Sequence, residues 1–253
     1  MKIGVIGAGQ IGSTLVRQYT KAGHEVKISN ASGIEKLKTL EIETGAKAVV
    51  ISEATKDVEV LVISIPFSEI PGLGKSIGKS IANKTIVIDT TNYYPIRDGR
   101  IEEIENGIVE SVWVSNHISQ PVIKVYNSIL AGSLIQSGLP RGSRERIALP
   151  ISGDNEKAKQ IVAKLINEGG FDTFDIGNLA DSWRQQPGSR IYCTDLNLTQ
   201  LKYNFDKSLK NTLPERRELA LKFIINQDPL NWLDWWKDCV KNNRKVYETD
   251  LNK

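Results

Sequence analysis

The residues from Lys2 to Asn30 leave this chain little choice of fold. They run Lys2-Ile3-Gly4-Val5-Ile6, then Gly7-Ala8-Gly9-Gln10-Ile11-Gly12, then an amphipathic stretch from Ser13 to Lys21. A turn at Ala22-Gly23-His24 leads into Glu25-Val26-Lys27-Ile28-Ser29-Asn30. A β-branched run, G-x-G-x-x-G, a helix and a second β-branched run come in the order of a βαβ unit that binds a dinucleotide. Gly7 permits the tight turn off the strand, Gly9 lets backbone approach a pyrophosphate, and Gly12 lets the helix pack closely on the strand. The free N–H groups and positive dipole end of that helix, at Gln10 and Ile11, then face the anion.

The end of the second strand reads the cofactor. An NAD-selective site usually places Asp or Glu there, to accept hydrogen bonds from the ribose hydroxyls. This chain has Ser29-Asn30-Ala31-Ser32-Gly33, with no carboxylate before Glu35. A carboxylate would repel a 2′-phosphate, whereas Ser29, Asn30, Ser32 and the backbone amides can donate to one. Lys36 and Lys38 add positive field. The turn therefore predicts NADP(H), and as an ordinary polar turn it also caps the next helix.

Composition narrows the class. The chain has 253 residues, 40% hydrophobic and 25% charged, with a net charge of +3 and two cysteines, Cys193 and Cys239. These values fit a soluble globular protein. The small, dispersed charge argues against a nucleic-acid partner. The first residues enter a strand directly, which predicts no signal peptide, and no apolar run reaches membrane-spanning length. Cysteines without C-x-x-C spacing predict neither a metal site nor a disulfide, and a cytoplasmic protein with reduced thiols.

Further along, Ile34–Leu40 is apolar at helical spacing and Ala46–Val50 reads as a third strand, with Ser52 capping a short helix. Val58–Ile65 is almost continuously apolar, as for a central parallel strand covered on both faces, and Pro66-Phe67 ends it. A helix over Ile70–Ile81, a strand over Thr85–Asp89, a helix over Val112–Ser119 and a strand over Val122–Tyr126 follow. Asn127 and Ser128 are read as caps of Ile129–Ser137. Arg146–Ile151 and Phe171–Ile176 are strands flanking a helix that Asp154 starts. Such regular alternation means an α/β fold: a Rossmann-type doubly wound, mostly parallel sheet, extended at one side. From Leu179 only helices are predicted, giving a dinucleotide-binding domain over 1–178 and a helical C-terminal extension over 179–253. Trp232, Trp235 and Trp236 share one face of the last helix, which suits packing against the body or a second subunit and predicts a homodimer.

No acid–base pair stands out. His24 sits in a turn and reads as structural. His117 lies on a predicted helix without a placed nucleophile. Asp89 ends a strand at the ligand-facing edge and is read as orienting the Thr90–Asn92 turn in preference to transferring a proton, and Asp89, Thr90 and Asn92 are counted among the cofactor-binding candidates. No residue is assigned as catalytic, and no metal cluster emerges. Reduction of a ketone or imine usually recruits a protein acid. Hydride exchange between nicotinamide and another flat heterocycle needs chiefly stacking, orientation and exclusion of water. Ile65-Pro66-Phe67 and Tyr126-Asn127, at strand ends, suit the second case.

With those residues in view, the chain resembles the NADP-dependent oxidoreductases that exchange hydride with the deazaflavin coenzyme F420. That N-terminal domain is shared with pyrroline-5-carboxylate reductases and STEAP ferric reductases. The matching pieces are Gly7–Gly12, Ser29–Gly33, Ile63–Phe67, Asp89-Thr90-Thr91-Asn92, Lys124–Ile129 and Pro150–Asp154. Asp181–Gly188 is similar to a stretch in bacterial members. The likeness runs to about Leu209. Where many members carry Asn-Ser-Arg-Gly, this chain has Asn30-Ala31-Ser32-Gly33, without the arginine. The resemblance implies a nicotinamide over the sheet edge between the Pro66 and Asn127 turns, with a deazaflavin or flavin stacked on it as a small-molecule redox partner. Two alternatives stay open: an NADP(H) sensor without turnover, and an imine or carbonyl reductase that uses Thr90, Asn127 or His117 as proton donor.

Overall fold

The computed structural model describes residues 1–225 and 235–248. Six strands make one parallel sheet: β1 (Lys2–Ile6), β2 (Glu25–Ser29), β3 (Lys47–Ala48), β4 (Val60–Ile63), β5 (Ile86–Asp89) and β6 (Val122–Lys124). Their spatial order is β3-β2-β1-β4-β5-β6, with every neighbouring pair parallel. The chain winds outward from β1 and then crosses back to β4, so a crevice opens between the carboxyl ends of β1 and β4. Helices α1 (Gln10–Lys21), α2 (Lys38–Thr44), α3 (Ile51–Ala54) and α4 (Ile70–Ile77) make the early crossovers. After β5 come α5 (Pro95–Asp98), α6 (Glu102–Glu105) and α7 (Glu110–Ile118), and after β6 comes α8 (Ala131–Gln136).

Alternation along the strands builds two cores. Ile3 and Val5 of β1, with Val60 and Val62 of β4, face a cluster that holds Leu15, Val16 and Tyr19 of α1. Ile6, Leu61 and Ile63 face the opposite cluster, with Ile70 and Leu73 of α4 and Trp113 and Val114 of α7. A strand covered on both faces reads as a continuous apolar run, as Val60–Ile63 does. Burial of each such side chain contributes roughly 1.5–3 kcal/mol. The helix α1 ends where Gly23, at φ 85, lets its own N–H reach the Thr20 carbonyl and the His24 N–H reach that of Tyr19.

The extension at the side of the sheet is a separate two-stranded parallel ribbon, β7 (Ala148–Ile151) with β8 (Asp172–Asp175). It joins the main sheet at one antiparallel bridge, between Lys124 and Ser152. The helix α9 (Glu156–Glu168) connects the two strands. Three caps differ from the sequence reading. Val50, not Ser52, occupies the N-cap of α3, and Leu130, not Asn127 or Ser128, that of α8. Asn155 caps α9 by accepting from the Ala158 N–H, while Asp154 accepts instead from the Leu179 N–H at 2.9 Å. Asn127 and Asp154 are claimed instead by partners distant in sequence.

A 3₁₀ segment over Leu179–Gln185 leads into α10 (Leu198–Asn204), α11 (Leu213–Ile225) and α12 (Trp235–Glu248). Among the described residues, no helix is long and apolar enough to cross a membrane. Trp236 is half-buried and lies against Gly132 of α8, so close that any side chain at 132 would overlap its indole. Part of the indole face is thus covered from within the chain. Trp232 lies outside the described residues.

Candidate active site at the carboxyl edge of the sheet

The crevice between β1 and β4 holds a cavity of about 470 Å³ lined by Gly7 to Gly9, Asn30, Ala31, Ile65 and Pro66, among others. Gly7 adopts φ 107, and a Cβ there would overlap the Ser64 carbonyl. A Cβ on Gly12 would strike the Gly7 carbonyl, so those two glycines hold α1 tightly against the strand ends. Gly9 is different: a Cβ there meets nothing within 4 Å. Its glycine keeps open the space into which the helix N-terminus points. Gln10 and Ile11 form the first turn, and no side chain caps its N–H groups. Unsatisfied helix donors facing an open cradle fit a pyrophosphate.

The turn after β2 divides its donors. Ser29 is wholly buried, with its hydroxyl 3.4 Å from the Val5 carbonyl and its own carbonyl accepting from the Gly7 N–H at 2.8 Å. It faces the core and cannot contact a phosphate outside, which corrects its reading as a phosphate donor. Asn30 lines the cavity, and its Oδ1 is buried without a hydrogen-bond partner. Ser32 and Gly33 are exposed. Asn30, Ala31 and Gly33 also border a second cavity of about 400 Å³, walled by Ile34, Val49 and Ile51.

At the other end of the crevice, Ile65 and Pro66 reach the cavity but Phe67 does not. Phe67 is fully buried, stacked on Trp113 with ring centroids 4.7 Å apart. Tyr126 likewise turns inward. Its backbone takes φ 62, its ring joins the core and its hydroxyl sits 3.3 Å from that of Tyr19. Burial pushes both phenols well above their ordinary pKa. The two aromatic residues expected to flank a nicotinamide are therefore core residues, because apolar rings next to a sheet edge gain more by packing beneath it.

Asp89 is also buried. Its Oδ1 accepts from the Thr91 N–H (2.8 Å) and hydroxyl (2.7 Å), and its Oδ2 from Ser111 (2.7 Å) and the Lys124 ammonium (3.1 Å). Lys124 additionally donates to the Thr91 carbonyl. All these partners lie within the chain, and through Thr91 Asp89 orients the Thr90–Asn92 turn. Sequence reasoning missed Lys124, whose signal was a lone cation inside an apolar strand. Thr90 donates to the Ile63 carbonyl at 3.1 Å.

Asn92 and Asn127 are brought together as expected of a shared edge, and Gln185 joins them. Asn127 Nδ2 donates to Asn92 Oδ1 (3.0 Å) and to the Gln185 carbonyl (2.7 Å), while Asn92 Nδ2 donates to the Asn127 carbonyl (2.8 Å). Gln185 Nε2 donates to Asn127 Oδ1 (2.8 Å), and Ser152 donates to Gln185 Oε1 (2.6 Å). Gln185 is wholly buried and was missed. Its only signal was its place inside the Asp181–Gly188 stretch. His117 lies away from this edge on α7, with Nδ1 donating to the Trp113 carbonyl at 2.9 Å.

A family model described as NADP oxidoreductase coenzyme F420-dependent matches residues 2–93. The protein YjhV of Escherichia coli (strain K12) is 33% identical over 108 residues, which are 43% of this chain and 77% of that protein. The crystal structure of hypothetical protein SMa0349 from Sinorhizobium meliloti is 29% identical with TM-score 0.66, covering 78% of this chain and 95% of the other. A provisionally assigned F420-dependent NADP-reductase from Arthrobacter sp. FB24 is 21% identical with TM-score 0.60, over 72% of this chain and 87% of that one. At that identity the likeness is one of fold.

Proposed function

The chain belongs to the NADP oxidoreductase, coenzyme F420-dependent family, and as an NADP-dependent oxidoreductase we propose that it passes hydride between NADPH and a second flat redox partner, a deazaflavin or flavin. The pyrophosphate would lie over Gly9 against the first turn of α1. The adenine would enter the apolar slot beside Ile34, Val49 and Ile51, and the adenosine ribose would meet the unpartnered Asn30 Oδ1. The nicotinamide would reach the edge at Ile65, Pro66 and Asn92. Bound there, NADPH supplies the hydride, and the protein's part is to orient the two rings and exclude water.

One observation carries the choice of acceptor: the side chains that would protonate a reduced carbonyl or imine are already engaged. Thr90 gives its hydroxyl proton to Ile63, both Asn127 N–H groups are spent on Asn92 and Gln185, and His117 belongs to α7. Hydride transfer between two aromatic systems needs no such donor. The purified protein should oxidise NADPH, followed by its near-ultraviolet absorbance, when FMN, FAD or a deazaflavin is added. Loss of absorbance with a cyclic imine but with none of these three would assign the protein to the imine reductases instead. NADPH binding with no turnover on any acceptor would leave it a sensor.

A further inference from the structure

A third cavity, of about 450 Å³, is lined by residues from α6 to the start of α11 and shares no lining residue with the dinucleotide crevice. Its walls are apolar, from Ile104 and Ile108 beside α6 to Pro187 and Leu213 at the start of α11. Its floor is Glu110, 2% exposed, whose carboxylate accepts from the Tyr93 N–H (3.2 Å) and from the Gln186 side chain. Burial, the largest influence, raises the Glu110 pKa above the usual carboxylate range, against the opposing pull of Lys124 and Arg217.

Two cations complete the lining. Arg217 is 8% exposed with its guanidinium carbon 5.5 Å from the Tyr93 ring centroid, and among the described residues it donates only from Nε, to Glu218 at 3.0 Å. Glu218 is half exposed and lies outside the lining, where solvent screens it. Lys210 donates to the Gly107 carbonyl at 3.0 Å, with no carboxylate partner among the described residues. The lining carboxylates are Glu110 and Glu105, and Glu105 accepts from the Tyr93 hydroxyl at 3.0 Å. They match the two cations in number, so what the cavity offers an anion is the Arg217 guanidinium terminus, for which no acceptor is found among the described residues. The guanidinium terminus suits a planar carboxylate.

We propose that this cavity binds a small organic monocarboxylate with an apolar body, its carboxylate held by Arg217 and Lys210 and its body by the walls between α6 and α11. The site communicates with the nicotinamide edge over two short routes. Tyr93, hydrogen-bonded to Glu110, directly follows Asn92, and Gln186 directly follows Gln185, the residue that clasps Asn127. Occupancy is therefore coupled to NADPH affinity. That coupling rests on the proposed function, whereas the binding itself does not.

Benzoate and hexanoate are the probes, with benzamide as the uncharged control, in calorimetric titrations of the full-length protein. Saturable millimolar or tighter binding of either acid is expected, with benzamide at least about tenfold weaker, since a charge-assisted hydrogen bond contributes about 1.5–3 kcal/mol. Arg217→Met should weaken binding by a similar factor. If that buried substitution unfolds the chain, Lys210→Met, at an exposed position, should still weaken it several-fold. Absence of saturable acid binding, equal binding of benzamide, or wild-type affinity in a folded Arg217→Met or Lys210→Met protein would overturn the site. Saturating benzoate should shift the NADPH dissociation constant several-fold, and NADPH should shift that of benzoate by the same factor. An unmoved NADPH constant would overturn the coupling. A protein that binds benzoate but no dinucleotide would overturn the proposed function and leave the site standing.

Discussion

Single atoms decide how the crevice treats a ligand. The Oδ1 of Asn30 is a buried acceptor without a partner, at the turn where a ribose would lie. Asn30→Asp turns a neutral amide into an anion that accepts from a free ribose hydroxyl and repels a 2′-phosphate. Calorimetry should show NADPH binding weakened by roughly 1–3 kcal/mol and NADH binding unchanged or improved. Equal effects on the two nucleotides would mean that Asn30 does not read the 2′ position. Gly9 gives the complementary case. Because its Cβ position is free of neighbours, Gly9→Val should melt near the wild-type temperature yet lose dinucleotide binding. Wild-type NADPH affinity in that variant would remove the crevice from consideration. By contrast, the same substitution at Gly12 would drive a side chain into the Gly7 carbonyl and cost the fold as well as the ligand.

Beyond the two apolar cores, fitted pairs of residues join particular elements. The contact of α12 with α8 depends on Gly132, which leaves room for the Trp236 indole. Gly132→Leu overpacks that contact and should destabilise the protein by about 1–3 kcal/mol, read as a lower midpoint in urea. Combining it with Trp236→Ala should restore part of the loss, because each change relieves the clash or cavity that the other creates. Strictly additive losses would show that the two residues do not meet. The β5–β6 pair is joined in a different way, by the buried Asp89–Lys124 ion pair. Taking two charges out of water is repaid only with good geometry and further hydrogen bonds, and here Thr91 and Ser111 provide them.

Across the whole molecule, Gln185 binds the parts into one body. From the 3₁₀ segment Leu179–Gln185 it reaches Asn127 after β6 and Ser152 after β7, tying the six-stranded sheet to the ribbon and to the chain that leads into the C-terminal helices. Gln185→Leu keeps the volume but strands Asn127 Oδ1 and the Ser152 hydroxyl, each an unmet group that costs about 1–3 kcal/mol. The variant should unfold at lower urea and, with Asn127 freed, turn over NADPH more slowly at saturating cofactor. A protein as stable as the wild type would show that water replaces the amide without loss. The order of strands and helices in the N-terminal half was legible along the chain, because apolar period and glycine spacing are local properties. Gly7, Gly9 and Gly12 have their distinct tasks from backbone geometry alone, and Val60–Ile63 shows its double burial in its own composition. What tertiary structure alone decided is the direction in which side chains at the sheet edge point. Phe67 and Tyr126 look like a cofactor's flanks in sequence, yet both turn into the core, since nothing local tells an aromatic ring which side of an edge holds its packing partners. Lys124 finds Asp89 across 35 positions and Gln185 finds Asn127 across 58, and such partners become neighbours only after the sheet has closed.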